Sequence, residues 1–169
     1  MLDFLFRRLT AEPARGTALF DAVVKHARER HWYVEGEVPD TLDGRFAVLA
    51  TIAALVIARL EAEGDAGNQA AVALTERFIE AMEGEHRELG MGDPTLGRTV
   101  RRLVGSLARR TELWRSVDST AAEAMRATTT SLYKAEVPPE ALEHSTRALD
   151  GLRERLKALP LADIGDGKF

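Results

Sequence analysis

The side chains able to do chemistry are few: the chain has four histidines and no cysteine. Glu83 and His86 are spaced to share one helical face, which is half of a di-iron bundle site. The other half needs a second Glu-x-x-His, and His144 has Ala141 three residues before it. His86 is therefore expected to be a histidine at a helix interface. His26 and His31 fall in no recognisable zinc spacing and read as surface or hinge residues. Gly90, Gly92 and Gly97 lack the preceding strand that a phosphate-binding loop or dinucleotide fingerprint requires. Without cysteine, disulfides, thiolate metal sites and iron–sulfur clusters are excluded. No catalytic residue, metal or cofactor is expected, so the chain reads as a binding protein and not an enzyme.

The 169 residues carry 27 acids against 23 bases, a net charge of -4, so a polyanion would have to be met by a local basic face. The start, MLDFLFRRL, places Asp3 early and its arginines after the apolar residues, which is not a signal peptide. Two readings of residues 1–9 stand: an amphipathic foot on a membrane surface, or a terminal segment packed on the domain.

Helical spacing recurs in six stretches and period-two alternation is never sustained, so the fold class is all-α, one compact domain over residues 1–169. The helices are expected at about 17–30, 41–63, 68–89, 94–110, 112–133 and 139–159, with a mobile tail at 160–169. The second holds the longest apolar run, the 13 residues 46–58, too short for a bilayer, which needs about 20. It reads as the central buried helix. The fourth is two-sided, with Leu96, Val100, Leu103 and Leu107 opposite Arg98, Arg102 and Arg109. The sixth spaces Leu142, Ser145, Leu149, Leu152, Leu156 and Leu159 as a narrow seam against partner helices, with oligomerisation through it as a lesser alternative.

Two polar, glycine-bearing elbows stand out. In the first, Val38-Pro39-Asp40-Thr41-Leu42-Asp43-Gly44-Arg45-Phe46, either Asp40 or Thr41 can cap the central helix, and Asp43 suits the positive end of its dipole. Capping does not explain Gly44, since glycine in a helix costs up to about 1 kcal/mol relative to alanine. Either a partner approaches the backbone there, or another helix of the same domain does, with Arg45 satisfying Asp40 or Asp43. In the second, Leu89-Gly90-Met91-Gly92-Asp93-Pro94, Gly90 reads as a left-handed C-cap and Asp93 as an N-cap before proline. Met91 is expected to be exposed and adaptable.

These motifs carry a resemblance. VPDTLDGRF, preceded by Trp32-Tyr33 and followed by ELGMGDPTLGRTVRRLV, is similar to the ubiquinol-cytochrome c chaperone family over about residues 20–110, leaving a helical extension at about 111–159. The resemblance implies a non-enzymatic assembly factor for ubiquinol-cytochrome c reductase, the cytochrome bc1 complex, whose client is newly made cytochrome b. Mitochondrial members are associated with the ribosome and a small partner protein. The matching positions are Tyr33, Val38, Pro39, Asp40, Thr41, Asp43, Gly44, Arg45 and Phe46, then Leu89, Gly90, Gly92, Asp93, Gly97, Arg98 and Val100. The family pattern commonly has an acid after Phe46 and a histidine soon after, where this chain has Ala47, Ala50, Thr51 and Ile52. Glu37 also stands between Gly36 and Val38, where the family tends to set glycine beside valine.

The expected client surface is accordingly Tyr33, Pro39, Asp40, Thr41, Asp43, Gly44, Arg45 and Phe46, with a secondary surface of Gly90, Met91, Gly92, Asp93, Arg98, Arg102 and Arg109. The alternative is a helical adaptor that docks on ribosomal RNA or an anionic membrane through the arginine face. The start is neither Ser-rich nor free of acids, unlike a transit segment, which favours a bacterial cytoplasmic protein with peripheral contact at the inner membrane.

Overall fold

The helix Leu42–Glu61, α2, is the axis of the fold because it has no polar side to turn to water. Ala47, Val48 and every residue from Ala50 to Ile57 are buried. Around it, the computed structural model describes residues 16–117 and 120–169, and the regular structure among them is helical throughout. Residues 16–27 form α1, followed by a 3-10 turn at Arg30–Trp32, then α2. Next come α3 (Asp65–Glu88), α4 (Asp93–Ser116), α5 (Ala121–Leu132), α6 (Pro139–Ala158) and the short α7 (Leu161–Gly165).

α3 and α4 pack on each other and on α2, while α5 and α6 form a second pair that also meets α2. One apolar core results, running from Leu19 and Val23 of α1 through Phe78, Leu107 and Trp114 to Leu149, Leu156 and Ile164. Each such leucine or valine contributes about 1.5–3 kcal/mol by burial. Arg59 closes the far end of α6: its Nε donates to the Leu156 carbonyl at 2.9 Å and Nη2 to that of Leu159 at 3.2 Å. These are carbonyls that a helix end leaves without partners.

Three expectations are corrected. The fourth helix does not stop near residue 110 but runs to Ser116, so Trp114 belongs to α4, where its Nε1 donates to Ser131 Oγ at 3.0 Å. The break comes later, and α5 begins where Thr120 Oγ1 accepts from the Glu123 amide at 3.4 Å. The tail is docked: Ile164 is fully buried and Phe169 stacks on His26 at 5.4 Å. The leucine seam of α6 faces this chain's own core, with Ser145, Leu149, Leu152 and Leu156 all buried, so it is not free to bind a second copy. The amphipathic foot at residues 1–9 lies outside the described residues.

Candidate functional site

The segment 31–39 is a tightly tethered loop. Trp32 is buried and its Nε1 donates to the His26 carbonyl at 2.8 Å, while Tyr33 Oη donates to that of Ala27 at 2.8 Å. The Gly36 amide donates to the His31 carbonyl at 2.8 Å and the Val38 amide to that of Trp32 at 3.0 Å. Between them Glu37 takes a φ of 48°, in the left-handed region. On the outer side Tyr133 Oη donates to the Gly36 carbonyl at 2.6 Å and lies 2.7 Å from Ser145 Oγ. The loop is thus fixed to α1 on one side and to the α5–α6 pair on the other.

The first elbow starts from this loop. Thr41 is the N-cap, its Oγ1 accepting from the Gly44 amide at 3.2 Å. Gly44 is buried, and a Cβ on it would stand 1.9 Å from the Pro39 carbonyl oxygen. What approaches the glycine is therefore the chain's own backbone five residues earlier, not another helix. Arg45 Nε donates to Asp40 Oδ1 at 2.6 Å, and Lys134 Nζ to Asp43 Oδ2 at 2.7 Å. Those hydrogen bonds hold both carboxyls below the usual carboxylate range, and the Asp40 contact raises the Arg45 guanidinium. Burial, then the charge of Asp40, pushes the Tyr33 phenol up.

Between α1, the loop, the elbow and α3 lies a groove of about 770 Å³. Of the expected surface, Tyr33, Asp40, Arg45 and Phe46 line it, whereas Pro39, Thr41, Asp43 and Gly44 do not. Phe46 sits 6.0 Å from the Phe78 ring, with the Arg110 guanidinium 5.8 Å from its centroid. Sequence reasoning missed the apolar members Phe20, Val24, Val34, Leu42, Leu49 and Met82. Val34 and Leu42 are 48% and 46% exposed, large apolar side chains in a polar stretch, which was the available signal. Arg28, Arg30 and Glu85 add charge to the lining. The departures Ala47, Ala50, Thr51 and Ile52 are all buried in the core and lie outside this groove.

The second elbow is separate. Gly90 has a φ of 83° and its amide donates to the Arg87 carbonyl at 3.0 Å, the left-handed cap expected of it. α4 is capped by Gly92 and not by Asp93, which is its first helical residue and makes no side-chain cap. Met91 is half-buried rather than exposed, and Leu89, at 59% exposure, is the open apolar residue of this turn. Arg98, Arg102 and Arg109 are exposed on the outer side of α4 and none lines the groove. Arg110 instead turns inward, its Nη2 donating to the Ser131 carbonyl at 2.7 Å, and burial lowers its guanidinium.

His86 is buried and its Nδ1 lies 2.8 Å from the Met82 carbonyl, the place of a core histidine. His26 and His31 are more than hinge residues: both are partly buried, and His31 reaches His144 on α6 at 3.0 Å. Among the described residues no group of three or more His, Asp or Glu side chains is arranged to hold a metal ion.

No curated protein matches the chain. A crystal structure of the Cbp3 homolog from Brucella abortus superposes with a TM-score of 0.80 at 24% identity, over 100% of this chain and 95% of that one. That likeness is one of fold. The family model described as ubiquinol-cytochrome C chaperone matches residues 34–169, so it takes in both elbows and continues through α5, α6 and the tail beyond the last recognised motif. The chain belongs to the ubiquinol-cytochrome c chaperone family, and its work is assembly of the cytochrome bc1 complex and not catalysis.

Proposed function

We propose that the chain grips newly made cytochrome b in the groove beside the first elbow, holding an apolar segment of it until the segment enters the complex. The observation that supports this is the coincidence of Tyr33, Asp40, Arg45 and Phe46 in one groove with the exposed side chains of Val34 and Leu42. An apolar floor would shelter apolar client residues, and the Asp40–Arg45 pair at its edge would fix polar flanks. Size limits the contact. A 20-residue transmembrane helix fills roughly 2,400 Å³, a cylinder about 30 Å long and 10 Å wide. A groove of about 770 Å³ takes a turn or two of such a helix and leaves the rest to the membrane.

Among the described residues no helix is long and apolar enough to cross a membrane. We place the chain's action at the cytoplasmic face of the inner membrane, where a membrane-protein client emerges. In the native host, a photo-crosslinker at Val34 or Leu42 should capture cytochrome b, and Leu42→Asp should lower assembled cytochrome bc1. Capture at Val72 on the outside of α3, with none at Val34 or Leu42, would remove the groove from consideration. Unchanged cytochrome bc1 after deletion of the gene would overturn the assembly role in this host.

A further inference from the structure

Three histidines and a glutamate form a continuous line of close polar contacts behind the groove: none of the four lines it, but their chain neighbours Ala27, Arg28, Arg30 and Tyr33 do. His26 Nδ1 is 2.8 Å from Glu29 Oε1, Glu29 Oε2 is 3.0 Å from His31 Nε2, and His31 Nδ1 is 3.0 Å from His144 Nε2. At the other end His26 Nε2 is 2.7 Å from the backbone oxygen of Phe169, whose ring stacks on the imidazole. The line therefore ties together α1, the loop that supplies Tyr33 and Val34 to the groove, α6 and the tail. The side chains of His26 and His31 are only 17% and 28% exposed, so water replaces a lost partner poorly.

Counting protons shows how few arrangements satisfy every link. The Phe169 oxygen and an ionised Glu29 only accept, so His26 fills both of its contacts when both ring nitrogens carry hydrogen. His31 Nε2 must likewise donate to Glu29. The contact between His31 Nδ1 and His144 Nε2 then holds with one hydrogen between the two nitrogens and fails with two, because two N–H groups would face each other at 3.0 Å. Either ring of that pair can be an imidazolium, but not both.

We propose that this line is a protonation-controlled latch behind the loop that lines the groove, closed while His31 and His144 share a single proton and opened when both rings are charged. The inference rests on the groove being the client site. Opening separates the 3-10 turn from α6 and frees the segment carrying Tyr33 and Val34, which alters the shape offered to the client. The ionisable groups that meet the latch directly are its own four members and the carboxylate of Phe169. Nearest them along each element are Lys25 on α1, Arg28 just after it, Arg30 on the turn, and Glu140, Glu143 and Arg147 on α6. Asp166 and Lys168 are on the tail. Of these, Glu143 pairs with Arg147 at 2.6 Å and Asp166 with Lys168 at 3.2 Å, so neither pair competes as a free charge.

Amide hydrogen exchange on the purified, client-free protein tests the latch apart from the client. The Gly36 and Val38 amides report on the loop, since they donate to the His31 and Trp32 carbonyls. After correction for intrinsic exchange, their protection should fall about tenfold between roughly pH 8 and pH 5, the interval in which imidazoles change charge and about the factor one charged hydrogen bond carries. His144→Gln can still bond His31 but cannot take up a proton, so the fall should vanish; His31→Gln should abolish it too and serves if the first variant folds poorly. A flat wild-type profile, or the same fall in either folded variant, overturns the latch. A working latch in a protein whose Val34 and Leu42 never meet cytochrome b would overturn the groove reading alone.

Discussion

The carbonyl oxygen of Pro39 lies 1.9 Å from the point where a Cβ on Gly44 would stand, and it belongs to backbone that is itself pinned by Thr41 and Val38. This contact decides what Gly44 is for. The helix can begin one turn after a proline only if the residue facing that proline has no side chain.

Gly44→Ala should therefore destabilise the protein, by about 2–4 kcal/mol, as an overpacked site next to immovable backbone does. Gly97 makes the contrast, since nothing lies within 4 Å of its would-be Cβ. Gly97→Ala should leave the fold intact and raise stability by up to about 1 kcal/mol through helix propensity. Urea denaturation midpoints of the two variants check both. Equal midpoints would mean that the elbow relaxes around the new methyl group and that Gly44 is kept for another reason.

What could be read in the sequence depended on how local the cause was. The run 46–58 announced a central helix because nothing in it could face water, and Gly90 announced its left-handed cap. The boundary between α4 and α5 was also written locally, in Thr120-Ala121-Ala122-Glu123, a capping-box pattern that falls inside the stretch 112–133 expected as one helix. The docking of the tail was not local: Phe169 stacks on His26 of α1, 143 residues away by chain, and a Cβ on Gly167 would meet Ala18 and Ala22 of the same helix. The same holds for the groove, whose walls come from α1, the loop, α2 and α3. Tyr33 and Phe46 were found through the motif, whereas Phe20 and Met82 carry no local mark that separates them from ordinary core residues.

The position of Glu37 gives a second prediction. Its φ of 48° costs a residue with a side chain about 1–2 kcal/mol, and glycine adopts it freely at a smaller entropic cost to folding. The side chain is exposed, so little packing is lost. Glu37→Gly should raise stability by roughly 0.5–1 kcal/mol, while Glu37→Val should lower it by a comparable amount because a branched side chain fits this region worse. Thermal unfolding of the two variants should move in opposite directions. If both lower the midpoint, Glu37 contributes a contact that outweighs its backbone strain.

A third prediction concerns the tie between the elbow and the turn after α5. Asp43 is held below the ordinary carboxylate range, first by the hydrogen bond from Lys134 and then by its charge. A carboxylate depressed in the folded state stabilises above its unfolded value, near 3.9, and loses that stabilisation as pH falls through the lower folded value. Both side chains are more than three-quarters exposed, at 81% and 76%, so screening leaves little of it. Lys134→Met should change stability by less than about 0.5 kcal/mol and remove what salt dependence the pair gives. A larger loss, insensitive to salt, would mean that Lys134 acts through packing.

The Tyr133 hydroxyl should matter far more, because its partners are shielded. Ser145 is fully buried and the Gly36 carbonyl belongs to a buried residue, so Tyr133→Phe strands two polar groups at once. The expected cost is about 2–3 kcal/mol. Burial raises the phenol, the Ser145 hydrogen bond opposing and the charge of Glu37 adding to it, so the folded state favours the protonated, donating form. Stability from this group is then complete below the unfolded value near 10 and is lost as pH rises through the higher folded value. Wild type should weaken between about pH 10 and 12 by an increment that Tyr133→Phe lacks. Because the bond anchors the loop bearing Tyr33 and Val34, the same variant should raise exchange at the Gly36 and Val38 amides even at neutral pH, where the histidine line is closed. Unchanged exchange there would show that α1 alone holds the groove wall.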